Sequence, residues 1–368
     1  MKRSEGLRGF FERVDWVLLG IVVLLSLLGV LNLHSAASTV GLSFHLAQSL
    51  WFLFGAVIIA VLALMDYRIF ERWAYLFFFA VVGLLVLVMA IGTELNGSKR
   101  WINLGFFHMQ PSELLKIAVI LLAARFFQDR NQTESFSIRQ LVMPFALVGG
   151  GVIFVLKQPD LGTSLVILAI FMTMVLFEGV RWSSLLVIVF AGCISLPLAW
   201  NFGLKEYQKD RVVSFLNLEA DRYGQSWQVR QSIIAFGSGR VWGKGYVEGT
   251  QVQRGFVPEH ESDFVAAIWG EEHGFVGMVF LLAVYLALIG WALRISHNAR
   301  DRFGAHVGVG VAAMIFWHTL INLGMVTGLL PVVGLTLPLM SYGGSSLLTM
   351  LMGIGLLLNV SMRRGPMS

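Results

Sequence analysis

The chain is short of charge. Asp, Glu, Lys and Arg make up 13% of its 368 residues, against roughly 25% in a soluble domain. It is also short of cysteine. Cys193 stands alone inside an apolar run, which excludes a disulfide framework and a thiolate metal site. No Gly-x-Ser-x-Gly elbow and no His-x-x-Glu-His spacing occurs, so the hydrolase and zinc-enzyme classes built on those motifs have no support. No internal repeat, low-complexity tract or linker divides the chain, and one domain over 1–368 is expected. The basic excess gives a net charge of +5. These charges punctuate the ends of apolar runs and form no single patch, so they are not the footprint of a nucleic-acid binder.

The chain is rich in long apolar runs. A bilayer core takes roughly 20 apolar residues per helix, and ten runs come close: about 16–33, 47–65, 73–92, 112–127, 141–156, 162–178, 184–201, 275–293, 305–327 and 343–361. Lys2, Arg3, Arg8 and Arg13 ahead of the first run, with Ser35-Ala36-Ala37 after it, imitate a secretion signal. That run is too long for a signal core, and further spans follow, so it reads as a transmembrane helix. The expected fold is an all-α polytopic membrane protein of about ten transmembrane helices.

Lys and Arg orient it. With the N-terminus in the cytoplasm, the inner segments carry fifteen Lys and Arg, while the short outer loops carry Lys99, Arg100 and Lys157. That bias puts both termini inside. The long loop 202–274, between the seventh and eighth helices, is then extracytoplasmic. Three polar segments, 93–113, 157–163 and 202–274, all fall on that outer side, which suggests an outward-facing cavity.

Each segment offers candidates. Asn96-Gly97 signals a turn, and Pro111 suits the first position of a helix. Glu113 and Lys116 are three apart and share a helix face. Lys116 falls within a membrane run, where an unpaired charge costs about 2.5–3.5 kcal/mol. It is either half of a buried ion pair or a cation aimed at an anionic substrate. Lys99-Arg100 beside Trp101 fits an interfacial anchor. Asp160 either caps the sixth helix or faces the cavity as a carboxylate. Phe236-Gly-Ser-Gly-Arg-Val-Trp-Gly-Lys-Gly245 has the glycines of a phosphate nest, but tight turns explain them better. Phe256-Val-Pro-Glu-His-Glu-Ser-Asp-Phe264 is the densest polar stretch, with Glu259, His260, Glu261 and Asp263. Asp263 reads as a helix cap or as part of a carboxylate cluster. His318 and Asn322 are four apart in the ninth helix, and helix–helix hydrogen bonding is expected there. Pro338–Ser346 interrupts the apolar pattern, as a backbone that lines a cavity does.

Taken in order, these pieces resemble the SEDS family (shape, elongation, division and sporulation). The matching motifs are Asn96-Gly-Ser-Lys-Arg-Trp101, Gln110-Pro-Ser-Glu113 with Lys116, Gln158-Pro-Asp-Leu-Gly162, Pro258-Glu-His-Glu-Ser-Asp-Phe264, Gly270-Glu-Glu-His-Gly274 and Pro338-Leu-Met-Ser-Tyr-Gly-Gly-Ser-Ser346. They span nearly the whole chain. Asp15-Trp16, Gly243–Gln251 and Pro331-Val-Val-Gly334 resemble the elongation branch more than the division branch. Glu261-Ser262 departs from the family, which more often has another residue followed by Thr; Ser keeps the hydroxyl.

The resemblance implies a peptidoglycan glycosyltransferase of the bacterial plasma (inner) membrane, polymerising lipid II at the outer face during cell elongation. It implies Asp263 as the catalytic residue and a class B penicillin-binding protein as partner. Diphosphate is a good leaving group, so one carboxylate acting as general base is sufficient, unlike the pair that glycosidases need. Lys116 and Arg100 are the first candidates to balance the departing diphosphate, with Arg211 and Arg230 in reserve. Glu113, Asp160 and Glu259 would orient cations or sugars. The sequence requires no cofactor and identifies no metal ligands, although a divalent cation (Mg or Mn) held by carboxylates is compatible with it. The rivals are a lipid II flippase, a division-type polymerase and a scaffold for cell-wall enzymes. Polar residues gathered on the outer side favour the enzyme.

Overall fold

The computed structural model describes residues 12–37, 43–95, 98–105, 107–129, 135–203, 205–216, 225–253, 256 and 261–363. Glu259 lies outside them. All ten predicted runs are helical: α1 (Trp16–Ala37), α2 (Phe44–Leu64), α3 (Tyr67–Ile91), α4 (Pro111–Asp129), α5 (Ile138–Lys157), α6 (Leu161–Glu178), α7 (Trp182–Leu198), α11 (Val265–His297), α12 (Arg302–Val326) and α13 (Gly344–Met362). Eight are long and apolar enough to cross a membrane. The other two are α4, which carries Glu113, Lys116, Arg125 and Asp129, and α7, with 17 residues. Between α7 and α11 run α8 (Glu206–Leu216), α9 (Gln225–Gly239) and α10 (Thr250–Gln253). Three short strands, β1 (Thr93–Leu95), β2 (Ser98–Asn103) and β3 (His108–Met109), form an antiparallel sheet ahead of α4.

The core is the C-terminal third wrapped around α4. Buried residues make up 72% of the α12 span and 83% of the α13 span, against 22% for α2. Nearly every side chain of α4 is buried. α2, α3, α5 and α7 instead turn Leu, Val, Ile and Phe outward, as helices do when lipid is their solvent. The N-terminus of α6 passes so close to the segment between α12 and α13 that a Cβ on Gly162 would sit 2.5 Å from Val333 O. Only glycine lets that segment enter the bundle there.

The eighth predicted run needs its boundary corrected. The run 275–293 is the second part of a longer helix, which begins at Val265, one residue after the Phe264 start that an Asp263 cap implies, and is broken at Gly274 (φ 62, ψ −159). A break leaves carbonyls before it and N–H groups after it without intrahelical partners. The glycine-rich turn after α9 supplies them. Lys244 N donates to Glu271 O at 3.0 Å and Gly245 N to Glu272 O at 3.1 Å; Phe275 N donates to Arg240 O at 2.9 Å and Val276 N to Val241 O at 3.1 Å. Within the 236–245 stretch, 236–239 end α9 and only 240–245 form tight turns, with those amides committed to the broken helix. Both acidic side chains take donors from their neighbours, although Glu272 Oε2 has none among the described residues. Glu271 accepts from Lys244 Nζ at 2.5 Å and Gln251 N at 3.0 Å. Glu272 accepts from Ser35 Oγ and from Val247 N at 3.1 Å. Above them the Tyr246 hydroxyl meets His34 Nδ1 at 2.8 Å and Leu31 O at 3.1 Å. Burial, followed by the nearby Glu272 charge, pushes its pKa up, which keeps the donor proton in place.

Candidate active site

α4 and α6 bring the first group of candidates together. Pro111 opens α4, as its fixed φ favours, and this aims Glu113 and Lys116 inward. Lys116 is fully buried, with Nζ 2.6 Å from Glu113 Oε2 and 2.9 Å from His318 Nε2 on α12. The ion pair and the expected helix–helix bond of His318 are both present. Asp160 is the cap of α6. Oδ1 caps α6 by accepting from Thr163 N at 3.2 Å, while Oδ2 accepts from Gln110 Nε2 at 2.7 Å and from Ser112 Oγ at 3.2 Å. Arg100 Nη1 stands 3.9 Å from that same Oδ2, and its side chain is about a quarter exposed. Arg100, Asp160, Glu113 and Lys116 therefore make one neighbourhood.

Asp263 belongs to the turn 261–264 just ahead of α11. The cap position of that helix is Phe264, which makes no side-chain cap bond, so the structure places Asp263 one residue before the cap. Its backbone carbonyl accepts from Asn322 Nδ2 at 2.8 Å. Its Oδ2 lies 3.4 Å from the point where a Cβ on Gly334 would be, so the carboxylate stands against the irregular segment between α12 and α13. That segment is strained: Leu339 has φ 62, a left-handed conformation that costs an ordinary residue about 1–2 kcal/mol. It is anchored by Tyr285 Oη donating to Pro338 O at 2.6 Å and by Gln48 Nε2 donating to Ser341 O at 2.9 Å. Thr336 ties the two neighbourhoods together, because its carbonyl faces His318 Nδ1 at 3.2 Å.

Residues 10–365 match the family model for FtsW, RodA and SpoVE, described as cell cycle proteins. The chain belongs to this family. It is 38% identical over 315 residues to the peptidoglycan glycosyltransferase MrdB of Escherichia coli K12, covering 85% of this chain and 84% of that one. It superposes with TM-score 0.82 at 32% identity on a chain of a peptidoglycan synthase complex that coordinates polymerization and crosslinking, over 96% of this chain and 99% of that one. It superposes on the rod shape determining protein RodA of Thermus thermophilus with TM-score 0.71 at 30% identity, over 95% and 97%.

Members of this family thus share the whole fold with this chain, and its polar residues can be sorted on that frame. Arg211 lies on α8 beside Pro331 and Val332, and Arg230 lies half-buried on α9. Among the described residues no three His, Cys, Asp or Glu side chains converge to hold a metal ion, and Glu113 and Asp160 both face nitrogen donors. The donor set does not fit a divalent cation there. Sequence reasoning assigned no role to Ser112, whose Oγ donates to Asp160 Oδ2 at 3.2 Å, to Thr336, whose hydroxyl meets Ser346 Oγ at 2.6 Å, or to Ser341, whose Oγ donates to Ser262 O at 2.5 Å. Asn322 was singled out, but for a helix partner; it grips loop carbonyls instead.

Proposed function

We propose that this protein is a peptidoglycan glycosyltransferase that polymerises lipid II into glycan strands during cell elongation. The observation that carries the reading is the match over most of the chain to curated peptidoglycan glycosyltransferases, joined to a buried cation–carboxylate neighbourhood linked to Asp263 through the 334–336 segment. In this reading the loop-rich end, with β1–β3, α8–α10 and Asp263, faces outward across the bacterial inner membrane, and both termini face the cytoplasm.

The chemistry follows from the groups present. Asp263 takes the proton of the acceptor sugar hydroxyl, worth typically about 10²–10⁴ in rate. The hydroxyl oxygen bonds to the anomeric carbon of the donor, whose bond to diphosphate breaks, and the electron pair leaves with the diphosphate. Arg100, held near Asp160 yet partly open, is the cation best able to touch that diphosphate. Lys116 is enclosed by Glu113 and His318, so it acts through the local field and through the geometry it imposes. No step here passes through a metal ion.

Exposed Ala283, Ala287 and Gly290 on α11 form a small-residue face with open space beside Gly290. We assign this face to the transmembrane helix of a class B penicillin-binding protein, with the exposed Phe202 and the start of the α8 region as a further contact. Gly304, Gly308 and Gly310 of α12 do not join it. They are buried inside the chain, Gly308 against Ser296 and Gly310 against Ile120 and Met174.

Purified protein in vesicles, supplied with labelled lipid II on the outward leaflet, is expected to make polymer and to leave translocation of inner-leaflet lipid II unchanged. Protein-dependent translocation without polymer would overturn this reading in favour of the flippase.

A further inference from the structure

Three successive carbonyls of the turn that carries Asp263 are held by donors from the C-terminal third of the chain. Tyr342 N donates to Glu261 O at 2.8 Å, Ser341 Oγ to Ser262 O at 2.5 Å, and Asn322 Nδ2 to Asp263 O at 2.8 Å. Asn322 is fully buried, and the same nitrogen also donates to Leu335 O at 2.6 Å. Two backbone carbonyls cannot bond to each other, since both only accept. A single amide nitrogen carrying two hydrogens can bridge them, and here it joins the Asp263 turn to the segment that Asp263 faces at Gly334.

One helical turn earlier on α12, His318 grips the same segment. Its Nδ1 faces Thr336 O at 3.2 Å and its Nε2 faces Lys116 Nζ at 2.9 Å. Lys116, paired with Glu113, only donates. Nε2 therefore accepts, and the imidazole proton sits on Nδ1, directed at Thr336 O. Contacts thus run without a gap from Glu113 and Lys116 through His318 to Thr336, and from Leu335 through Asn322 to Asp263.

We propose that Asn322 is a positioning residue for glycosyl transfer: its bridging carboxamide fixes the Asp263 turn against the 331–343 segment, and His318 sets that segment relative to Lys116. The inference rests on the reading of Asp263 as the base. It requires two N–H groups at position 322, a requirement that packing alone would not impose.

The test measures kcat, KM for lipid II, the pH profile of kcat/KM and thermal stability for the full chain with four substitutions. Misplacing a reacting group by on the order of 1 Å costs about 10²-fold. Asn322→Leu, of similar size without donors, is expected to lower kcat by about 10- to 100-fold, leave KM nearly unchanged and shift the pH profile. Asn322→Gln, which keeps both N–H groups on a longer arm, should recover part of kcat. Ser341→Ala, which removes the neighbouring donor to Ser262 O, should give a smaller loss of the same kind, and it decides the matter if Asn322→Leu does not fold. Asp263→Asn is run beside them. If it is inactive while Asn322→Leu, or Ser341→Ala in its place, keeps the parental kcat and pH profile, the positioning role is overturned and the base assignment stands. If Asp263→Asn is fully active, the base assignment is what has failed.

Discussion

The two ends of the bundle bury similar polar groups and use them differently. At the tight end, where α1 begins and α13 finishes, Asp15 accepts from Leu18 N at 3.1 Å, Trp291 Nε1 at 2.9 Å and Ser361 Oγ at 2.9 Å. Asp301 caps α12 through Gly304 N at 2.8 Å and also receives the Tyr67 hydroxyl. Asn359 Nδ2 donates to Leu62 O at 2.5 Å and Met65 O at 2.7 Å, while Arg363 donates to Met65 O at 2.6 Å and Asn359 Oδ1 at 2.7 Å. These side chains finish helix ends. At the loop-rich end, by contrast, Gln48, Gln158, Glu272 and Asn322 each keep one buried oxygen without a partner among the described residues. Buried polar atoms are normally satisfied, and exceptions point to strain or function. Unpartnered buried oxygens thus gather at the mouth, with Gln128 Oε1 an exception at the base, and the mouth is where chemistry is expected.

The largest expected effect tests the mouth directly. Asp263→Asn should abolish polymerisation while the protein stays folded in the membrane, a fall of about 10²–10⁴ from loss of a general base. Measured strand synthesis from lipid II by the Asn variant at the parental rate would remove the distinction between the two ends. Next comes Lys116→Met. Taking one partner from a buried pair destabilises by about 3–5 kcal/mol, so stability and turnover must be read together. A sharp drop in kcat places Lys116 with the mouth. Full activity with only a lower Tm would make it a structural ion pair, as Arg125 and Glu71 are at the base.

A smaller effect concerns the lipid-facing surface. Co-purified class B transpeptidase should raise the polymerisation rate severalfold by favouring an active arrangement of the 202–264 region, a shift between two populations. Bulky substitutions at Ala283 and Ala287, both exposed on α11, should reduce that gain while leaving the rate of the isolated chain alone. Equal rates with and without partner would mean that the partner shares only a location with this enzyme.

Much of this was legible in the sequence because apolar length is a strong signal. All ten runs appear as helices, and Pro111, Asp160 and the Glu113–Lys116 pair sit as their local chemistry predicts. What escaped was long-range. That the helix starting at Val265 continues into the apolar run was not legible, because Glu271 and Glu272 interrupt it and the partners that bury them, Ser35, Lys244 and Val247, lie in no local window. The tight end looked simply apolar because its few polar residues are scattered at helix ends across the chain. Gly304, Gly308 and Gly310 of α12 turn inward, which helical spacing alone does not say.

The smallest effect on turnover is expected at the tight end. Asn359 is fully buried, and its amide closes the C-terminus of α2 by donating to carbonyls that have no intrahelical partner. Asn359→Leu keeps the volume, removes those donors and also takes an acceptor from Arg363. Leaving buried groups unsatisfied costs about 1–3 kcal/mol each, so Tm should fall clearly. Turnover should not, because the hydrogen bonds of Asn359 go to Leu62, Ala63, Met65 and Arg363, at the opposite end from Asp263, Lys116 and Arg100. Thermal unfolding and lipid II polymerisation on the same preparation check both halves. A lowered kcat at unchanged stability would show that the base of the bundle is coupled to its mouth, and the two ends would then have to be described as one machine.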